Sequence, residues 1–376
     1  MSVNPTITVL MAVYNGERYL RQAVDSILAQ TWEDFEFIIV NDGSTDSTPE
    51  ILESYTDKRI LVTHTPNQGL TRALSLGVKL ARGEFLARMD ADDISLPHRL
   101  ALQKQYMDRY SSAVMVHGLV DRIDSSGRTI MRKAGNEDPD LVTRWYLVWQ
   151  NRIYHSTAMI RKEILDRNGL NYRIQLRRTQ DYDLWCKLSH LGGIVAVPQV
   201  IVCHRIHTQS ISHRLMRGHV NDFASSIREN WKRYGVFISQ ETASELALIS
   251  NQTMVHSLTP HYHSLYSSIL DLFDTIRQRF VKKFTVASGI LEPTQARQLI
   301  HWAGYMAPTS RTSAGKIAQV ALRIDPGIRH SPLYIIYLLQ FFLGKALLRR
   351  FVSTPRSRSF LEKLHSIVHQ FTLSKN

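Results

Sequence analysis

The sequence predicts an α/β fold, in which a Rossmann-like and mostly parallel sheet is flanked by helices and followed by a helical C-terminal region. Short apolar runs rich in β-branched residues alternate with helix-length segments through the first 90 residues. This alternation is typical of strands joined by right-handed crossovers. After about residue 214 the strand patterns fade, and the chain reads mostly as helices and loops to about residue 330.

The first part of the chain contains four apolar runs that predict buried strands, at 7–13, 35–40, 60–64 and 84–89. The first connection, 17–30, places its apolar residues on one helical face. In the second connection, Thr48 followed by Pro49 predicts a helix N-cap and the first helical position. A third helix with an apolar stripe begins at Leu70.

The following part is mixed, with predicted helices at 97–110 and 181–190 and predicted strands at 113–118 and 193–203. The sequence therefore predicts three regions. They are an α/β domain at 1–214, a helical region at 215–330 and a basic amphipathic segment at 331–376.

The net charge of +13 is unevenly distributed along the chain. Residues 1–214 hold 26 Lys and Arg against 24 Asp and Glu, whereas residues 215–376 hold 20 against 9. Such a basic excess suggests an anionic partner, for example a phospholipid surface or a polyphosphate. No zinc-finger or aromatic RNA-binding signature accompanies the charge, so we do not expect nucleic acid as a partner.

The C-terminal segment combines apolar and basic residues. Residues 333–343 are apolar except for Gln340, and residues 345–363 hold six Lys and Arg against one acidic residue. This pattern suits a helix at an anionic membrane surface. A buried helix that packs on the catalytic domain, or a dimer contact, explains the same apolar run.

The location that the sequence favours is cytoplasmic, with peripheral attachment to the inner face of the membrane as a further expectation. Cys186 and Cys203 are too few for a disulfide framework and are not spaced as a metal knuckle. The first residues lack the basic region of a signal peptide, and no apolar run reaches the 18 residues of a membrane span.

Small or acidic polar residues follow three of the predicted strands, at 14–16, 41–44 and 90–93. The carboxyl ends of parallel strands meet at one edge, and open α/β sheets bind their ligands there. We therefore expect one site at this edge rather than three separate loops.

The acidic turn at 90–93 is the sharpest local signal. Asp90, Asp92 and Asp93 repel one another unless a cation lies between them. Mg²⁺ or Mn²⁺ suits oxygen ligands and can bridge carboxylate and diphosphate oxygens. A solvated acidic turn is the alternative. Asp42 has two interpretations as well, either a turn residue or an acceptor for a nucleobase imide or a ribose hydroxyl.

Two later stretches carry further candidates. Asp181 opens a predicted helix, so it either complements the helix N-terminus or acts as a general base on an acceptor hydroxyl. His204 and His207 follow the last predicted strand. Histidine at such a position is structural, unless the acidic turn lies nearby and makes it a ligand of a metal or a diphosphate.

Together these pieces resemble the family 2 glycosyltransferases of the GT-A fold, of the bacterial surface-polysaccharide type. The resembling stretches are 8–16 (TVLMAVYNG), 41–46 (NDGSTD), 67–70 (NQGL), 83–85 (GEF), 88–93 (RMDADD), 155–159 (HSTAM) and 180–185 (QDYDLW). Their order and spacing make the resemblance specific, although any one of them alone is weak. The resemblance covers a little over half of the chain and does not extend to the C-terminal helices.

The resemblance implies a donor site for a nucleoside-diphosphate sugar. Val13, Tyr14 and Asp42 would line the nucleoside pocket, and Asp90 of the DXD motif would lie near the ribose. Many relatives carry Ala-Arg-Asn after the Asn-x-Gly motif, but here Ala73 is followed by Leu and Ser. Arg72 is the candidate to supply the missing positive charge.

The resemblance also implies a metal and a base. Asp92 would bind Mn²⁺ or Mg²⁺ directly, and His207 resembles the histidine that reaches the metal or the diphosphate in some members. Asp181 matches the catalytic base, with His155 and Asp183 on the acceptor side. The base motif more often begins with Glu, so Gln180 removes a carboxylate beside Asp181 and should weaken any rise of its pKa.

The implied reaction is a single in-line displacement, which inverts the anomeric carbon because the enzyme supplies one base and no nucleophile. A UDP-sugar is the favoured donor, and a glycan or a lipid-linked precursor is the expected acceptor. One alternative is a sugar nucleotidyltransferase of related fold, but its basic Gly-rich loop is missing from 14–21. Another is a non-catalytic nucleotide-binding protein, which the presence of Asp92 and Asp181 disfavours.

Overall fold

A computed structural model describes residues 4–135, 138–208, 217–250, 265–286, 289–306, 311–331 and 334. The chain divides into two compact units, residues 1–233 and 234–376. The first unit contains every residue that the sequence nominates for the site.

The described part of the first unit forms one mixed sheet. Its strands are β1 Ile7–Val13, β2 Phe35–Asp42, β3 Ile60–Thr65, β4 Phe85–Asp90, β5 Ile94–Ser95, β6 Ala113–Ile123, β7 Thr129–Ala134, β8 Met159–Arg161 and β9 Gly193–Arg205. They lie in the order β3-β2-β1-β4-β8-β6-β9-β5, and β7 pairs with β6 outside this path. The four strands predicted in the first 90 residues are confirmed as a parallel group.

Helices of the first unit connect and cover these strands. They are α1 Leu20–Leu28, α2 Thr48–Glu53, α3 Leu70–Leu80, α4 Arg99–Arg109, α5 Asp140–Leu147, α6 Lys162–Arg167, α7 Gln180–Leu188 and α8 Arg217–Lys232. Every residue of β1 and β2 is buried, so both faces of the sheet are covered at its centre. Close packing of α3 on β1 depends on Gly77, since a Cβ there would lie 2.0 Å from Leu10 Cδ1.

The register of the central strands brings their carboxyl ends to one edge. Val13 at the end of β1 pairs with Asn41 of β2, and Ala12 pairs with Asp90 at the end of β4. The loops that follow these strands therefore lie side by side, as the sequence predicts.

Two parallel groups of strands are joined by a short antiparallel strand. β8 pairs antiparallel with β4 on one side and with β6 on the other, and β6 runs parallel to β9. The strand ends of β6 and β9 consequently reach the same edge as those of β1 and β4. Strands β5, β7 and β8 are missing from the sequence prediction because they are short or, in β7, exposed along their length.

The described part of the second unit is helical, as predicted. Its helices are α9 Gln240–Ser250, α10 Leu265–Phe284, α11 Glu292–Met306 and α12 Arg311–Ile324. Phe273 packs edge-on against Trp302, with ring centroids 5.8 Å apart. No helix in the described ranges is both long and apolar enough to cross a membrane. The predicted amphipathic segment at 331–376 lies outside the described residues, apart from 331 and 334.

Candidate active site

The loops after β1 and β2 are held together by hydrogen bonds. The Asn15 N–H donates to Ser44 Oγ at 2.9 Å, and Asn15 Oδ1 accepts from the Thr45 N–H at 2.8 Å. Asn15 takes a left-handed φ of 51°, a conformation that Asn tolerates better than most residues. The Gly16 N–H donates to Thr48 Oγ1 at 2.9 Å. The sequence predicted Thr48 as the N-cap of α2, but the N-cap is Ser47. The Thr48 hydroxyl instead accepts the hydrogen bond that joins the two loops.

Two of the predicted donor-site residues, Val13 and Tyr14, lie where β1 leads into the first of these loops. We call the surface formed by the loops after β1, β2 and β4 the cradle. Val13 is buried at the end of β1, whereas the Tyr14 side chain that follows it is 52% exposed. An exposed aromatic ring beside a buried apolar floor can stack on a flat ligand such as a nucleobase.

The Asp42 carboxylate is buried and orders the loop before α3. Its Oδ1 accepts from the Gln68 N–H at 2.9 Å, and its Oδ2 accepts from the Gly69 N–H at 2.8 Å. Asp42 therefore holds the Asn-x-Gly loop in place, and its predicted contact with a nucleoside stays a prediction. Arg72 is exposed on the first turn of α3, directly after this loop.

Each carboxylate of the acidic turn has its own partner. Asp90 forms an ion pair with the buried Arg88, whose Nη1 also donates to the Leu10 carbonyl at 3.2 Å. Asp92 Oδ2 lies 2.9 Å from His207 Nε2. Local donors therefore face these carboxylates, and the shared divalent ion that the sequence argument places between them stays a prediction.

The third carboxylate, Asp93, is structural. It is buried and accepts hydrogen bonds from the Ser156 hydroxyl and from the Arg205 N–H, the latter at 2.8 Å. It also lies 3.2 Å from His204 Nδ1. Burial opposes protonation of His204, but the charge and hydrogen bond of Asp93 more than offset it and raise the pKa of the ring. His204 thus contacts the structural carboxylate Asp93, whereas His207 contacts Asp92.

The pair Asp92 and His207 fits a divalent ion. Two ligands at right angles on an octahedral ion with bonds of about 2.1 Å lie about 3 Å apart, close to the 2.9 Å observed. One carboxylate oxygen and one imidazole nitrogen are donors that Mn²⁺ accepts. No group of three potential protein ligands occurs in the described residues, so water and a bound diphosphate would complete the shell, as is usual for such ions.

Arg205, which the sequence argument passed over, holds the acidic turn in place. Its Nε donates to the Asp92 carbonyl at 2.8 Å, and its Nη2 donates to Gln22 Oε1 on α1 at 2.9 Å. The guanidinium also lies over the Tyr19 ring, 4.5 Å from its centroid. The sequence signal that could have identified it is an arginine between two histidines, at the end of a predicted apolar strand.

Asp181 lies in the first turn of α7, as predicted, and its surroundings raise its pKa. Burial raises the pKa to about 6 with help from the Asp90 carboxylate, while hydrogen bonds from the Tyr182 N–H and the Asn151 amide act in the opposite direction. Asn151 Nδ2 donates to Asp181 Oδ2 at 2.8 Å. Gln180 therefore does not prevent a raised pKa, because the rise comes from burial and not from an adjacent carboxylate.

His155 and Tyr172 form a pair of neighbouring polar side chains close to Asp181. His155 Nε2 lies 2.8 Å from Tyr172 Oη. Burial and the nearby Arg88 charge hold the pKa of His155 well below 6.5. Burial raises the pKa of Tyr172, and the charges of Asp181 and Asp90 both contribute to that rise. This pair is neutral at pH 7 and can offer hydrogen bonds to uncharged hydroxyls.

Asp183 is placed differently from its neighbour Asp181. It is buried, with Lys187 Nζ 2.6 Å from its Oδ2 and Arg173 Nε 3.5 Å from its Oδ1. Two cations therefore hold it in an ion-pair network. Its assignment to the acceptor side stays a prediction, because both of its carboxylate oxygens face cations.

Sequence comparisons match this chain to glycosyltransferases. Residues 8–169 match the family model described as Glycosyl transferase family 2. An uncharacterized glycosyltransferase of Rickettsia typhi is 26% identical over 295 residues, which span 77% of this chain and 86% of that protein. The putative glycosyltransferase EpsH of Bacillus subtilis is 47% identical over 222 residues, which span 57% of this chain and 64% of that protein.

A solved structure supports the fold. Residues 1–349 of TarS from S. aureus, in complex with UDP-GlcNAc, match with a TM-score of 0.54 and 16% identity. The match covers 86% of this chain and 91% of that one. At this identity the likeness concerns the fold, and it confirms the predicted GT-A architecture.

Proposed function

We propose, from the match of residues 8–169 to the family 2 glycosyltransferase model, that this chain is an inverting, metal-dependent transferase of that family. It moves a sugar from a nucleoside-diphosphate sugar to an acceptor hydroxyl. The observation that carries the proposal is that one sheet edge holds two aspartates in different surroundings, Asp92 and Asp181. Asp92 lies against His207, and the raised pKa of Asp181 responds to the Asp90 carboxylate.

The donor would occupy the cradle formed after β1, β2 and β4. Tyr14 would stack on the base, and Asp90 would lie near the ribose. Arg72, exposed on α3, would meet the phosphates. A UDP-sugar is the favoured donor, in keeping with the UDP-GlcNAc that the similar TarS structure holds.

Asp92 and His207 would hold Mn²⁺ or Mg²⁺. The ion, when bound, supplies positive charge that stabilises the departing diphosphate. Arg205 keeps the Asp92 backbone in place through the hydrogen bond to its carbonyl, so it is a positioning residue for this site.

The transfer would be a single displacement. The acceptor oxygen forms a bond to the anomeric carbon on the face opposite the diphosphate, and the bond from that carbon to the diphosphate oxygen breaks. The acceptor proton passes to Asp181, whose pKa of about 6 leaves it mostly ionised at pH 7 and basic enough to accept a proton. Attack from the opposite face inverts the anomeric configuration.

The acceptor that we propose is a glycan or a lipid-linked precursor of a cell-surface polysaccharide, made at the inner face of the membrane. The support is the basic excess of residues 215–376, with 20 Lys and Arg against 9 Asp and Glu. The segment 331–376 would contribute to attachment.

A thermal-shift screen tests the donor and the metal together. UDP, GDP and TDP are added with and without Mn²⁺ to the wild type, to Asp92→Ala and to the control Asp108→Ala, which removes an exposed carboxylate on α4. Ligand at 100 times its dissociation constant stabilises the folded state by roughly 2.7 kcal/mol.

We expect one nucleotide to stabilise the wild type and the control only when Mn²⁺ is present, with the gain lost in Asp92→Ala. Equal stabilisation of all three proteins without metal would remove the metal from the proposal. If no nucleotide stabilises the wild type, the sheet edge is not a nucleotide-sugar site.

A further inference from the structure

The hairpin of β6 and β7 carries exposed apolar side chains. Ile130 is 56% exposed and Met131 is 48% exposed, although they are neighbours on the same short strand. Five of the six residues of β7 are exposed, and only the last, Ala134, is half-buried. Two adjacent apolar side chains on an open strand are unusual for a surface with no partner.

Basic residues surround these two side chains. Arg132 and Lys133 follow them directly on β7 and are exposed. Neither forms an ion pair with another of the described residues. Asp121, the nearby acid, accepts a hydrogen bond from the Lys133 N–H at 2.9 Å. The hairpin therefore offers an apolar patch next to cations that are available to an anionic partner.

The hairpin lies at the edge of the sheet that carries the candidate site. Ile123 at the end of β6 pairs with Arg205 at the end of β9. Arg205 donates to the Asp124 carbonyl in the hairpin turn at 3.3 Å and to the Asp92 carbonyl at 2.8 Å. One side chain thus joins the hairpin turn to the acidic turn.

Two occupants could cover such a strand, a second copy of the chain or a membrane surface. Ile130 lies at an irregularity between the pairs Ile123–Thr129 and Arg122–Met131, so β7 offers no regular edge there to a further strand. The pairing of β7 with β6 shifts register twice, and Lys133 has a φ of 50°. Bulges and charges of this kind block edge-to-edge pairing of strands. A lipid interface, by contrast, needs no regular strand edge and accepts apolar side chains next to basic ones.

We propose that the β6–β7 hairpin docks the catalytic unit on an anionic phospholipid surface. Ile130 and Met131 enter the interface, and Arg132 and Lys133 meet the headgroup phosphates. This contact orients the acidic turn toward the membrane. It goes beyond the proposed transfer reaction, because it requires no donor or metal, and it is separate from the segment at 331–376.

Vesicle co-sedimentation of the full chain tests the proposal. Vesicles contain phosphatidylcholine alone or phosphatidylcholine with about 30% phosphatidylglycerol. The variants are Ile130→Ser with Met131→Ser, and Arg132→Gln with Lys133→Gln. The matched controls are Leu61→Ser with Leu80→Ser, which remove two other exposed leucines, and a chain that ends at residue 330. Thermal unfolding and far-UV circular dichroism verify that each variant is folded.

We expect wild type and the leucine control to bind the anionic vesicles alike, and the Ile130/Met131 variant to bind at least tenfold more weakly. The charge variant should lose affinity by roughly fivefold per basic side chain. The proposal is overturned if the Ile130/Met131 variant binds as the wild type does, or if only the truncation abolishes binding. It is also overturned if the wild type does not bind anionic vesicles. The same holds if analytical ultracentrifugation without vesicles shows a dimer that these substitutions dissociate. None of these outcomes bears on UDP binding, so the proposed transferase can fail or stand independently.

Discussion

The turn after β4 and the start of α7 both carry aspartates at the edge of one sheet, yet their surroundings differ. In the turn, Asp90 faces Arg88 and Asp92 faces His207. At the start of α7, Asp181 accepts a hydrogen bond from the neutral Asn151 amide and has no ion pair in the described part of the chain. Burial there raises the pKa of Asp181 to about 6.

This difference teaches how one residue type serves two purposes. A carboxylate that lies against a basic side chain can clamp charge, whereas a carboxylate buried without a cation holds a proton more tightly and can exchange it near neutral pH. The following predictions test whether that contrast governs the chemistry.

The largest expected effect comes from removing the base. Asp181→Asn keeps the shape of the side chain and its place beside Asn151 but cannot accept the acceptor proton. We expect kcat to fall by about 10²–10⁴-fold, with the dissociation constant of UDP changed less than threefold. Steady-state kinetics and calorimetry measure the two quantities. Asp166→Asn, at an exposed acid of α6, is the control, and a large loss of UDP affinity in Asp181→Asn would remove the base assignment.

A buried histidine without a hydrogen-bond partner in the described part of the chain provides the opposite case. His117 on β6 is fully buried, neither ring nitrogen has a hydrogen-bond partner among the described residues, and burial lowers its pKa to about 4. Between pH 6.5 and 4 the unfolded chain binds a proton there that the folded chain does not, so stability falls as the pH falls. The loss over this window is about 3 kcal/mol.

His117→Leu should remove that part of the pH dependence. Urea unfolding at pH 7.5 and 4.5 measures it, with His98→Leu, at an exposed histidine before α4, as the control. If wild type and His117→Leu lose equal stability on acidification, burial does not suppress protonation of this ring.

The position of the acidic turn depends on Arg205, which donates to the Asp92 carbonyl. Arg205→Lys retains a positive charge but loses the planar fork that reaches Asp92, Gln22 and Asp124 at once. Supporting residues of metal sites typically contribute 10–100-fold to affinity, so we expect Mn²⁺-dependent UDP binding to weaken by about that factor. Titration calorimetry gives the value, with the exposed Arg167→Lys as the control. Unchanged binding would show that the acidic turn keeps its shape without this arginine.

The smallest effect concerns the pH profile. The wild-type kcat/KM should rise with pH through about 6 as Asp181 loses its proton. Asn151→Ala removes a hydrogen bond that lowers this pKa, so the rise should move upward by about one pH unit. Asn168→Ala, which removes a surface amide on the carboxyl end of α6, should leave the profile in place. A downward shift in Asn151→Ala would contradict the sign of this argument.

The sequence predicted the strands of the first 90 residues and their common edge because buried strands and amphipathic helices have distinct periods. It did not predict β8, whose three residues are too few for a period, or β7, whose side chains are exposed. For the site, it nominated Asp92, His207 and Asp181. It missed Arg205 and Asn151 because their contacts join residues far apart in the chain, which no local pattern reveals.

The placement of β9 has a consequence for how the protein is made. The contact of Asp92 with His207 joins residues 115 positions apart, and that of Arg205 with Gln22 joins residues 183 apart. A chain emerging from the ribosome can fold its first strands early. It cannot tie its first helix to the acidic turn until residue 205 has also emerged. Because the site cannot form before residue 205 is available, the activity of a nascent chain should appear late and abruptly, well after its compact core has formed.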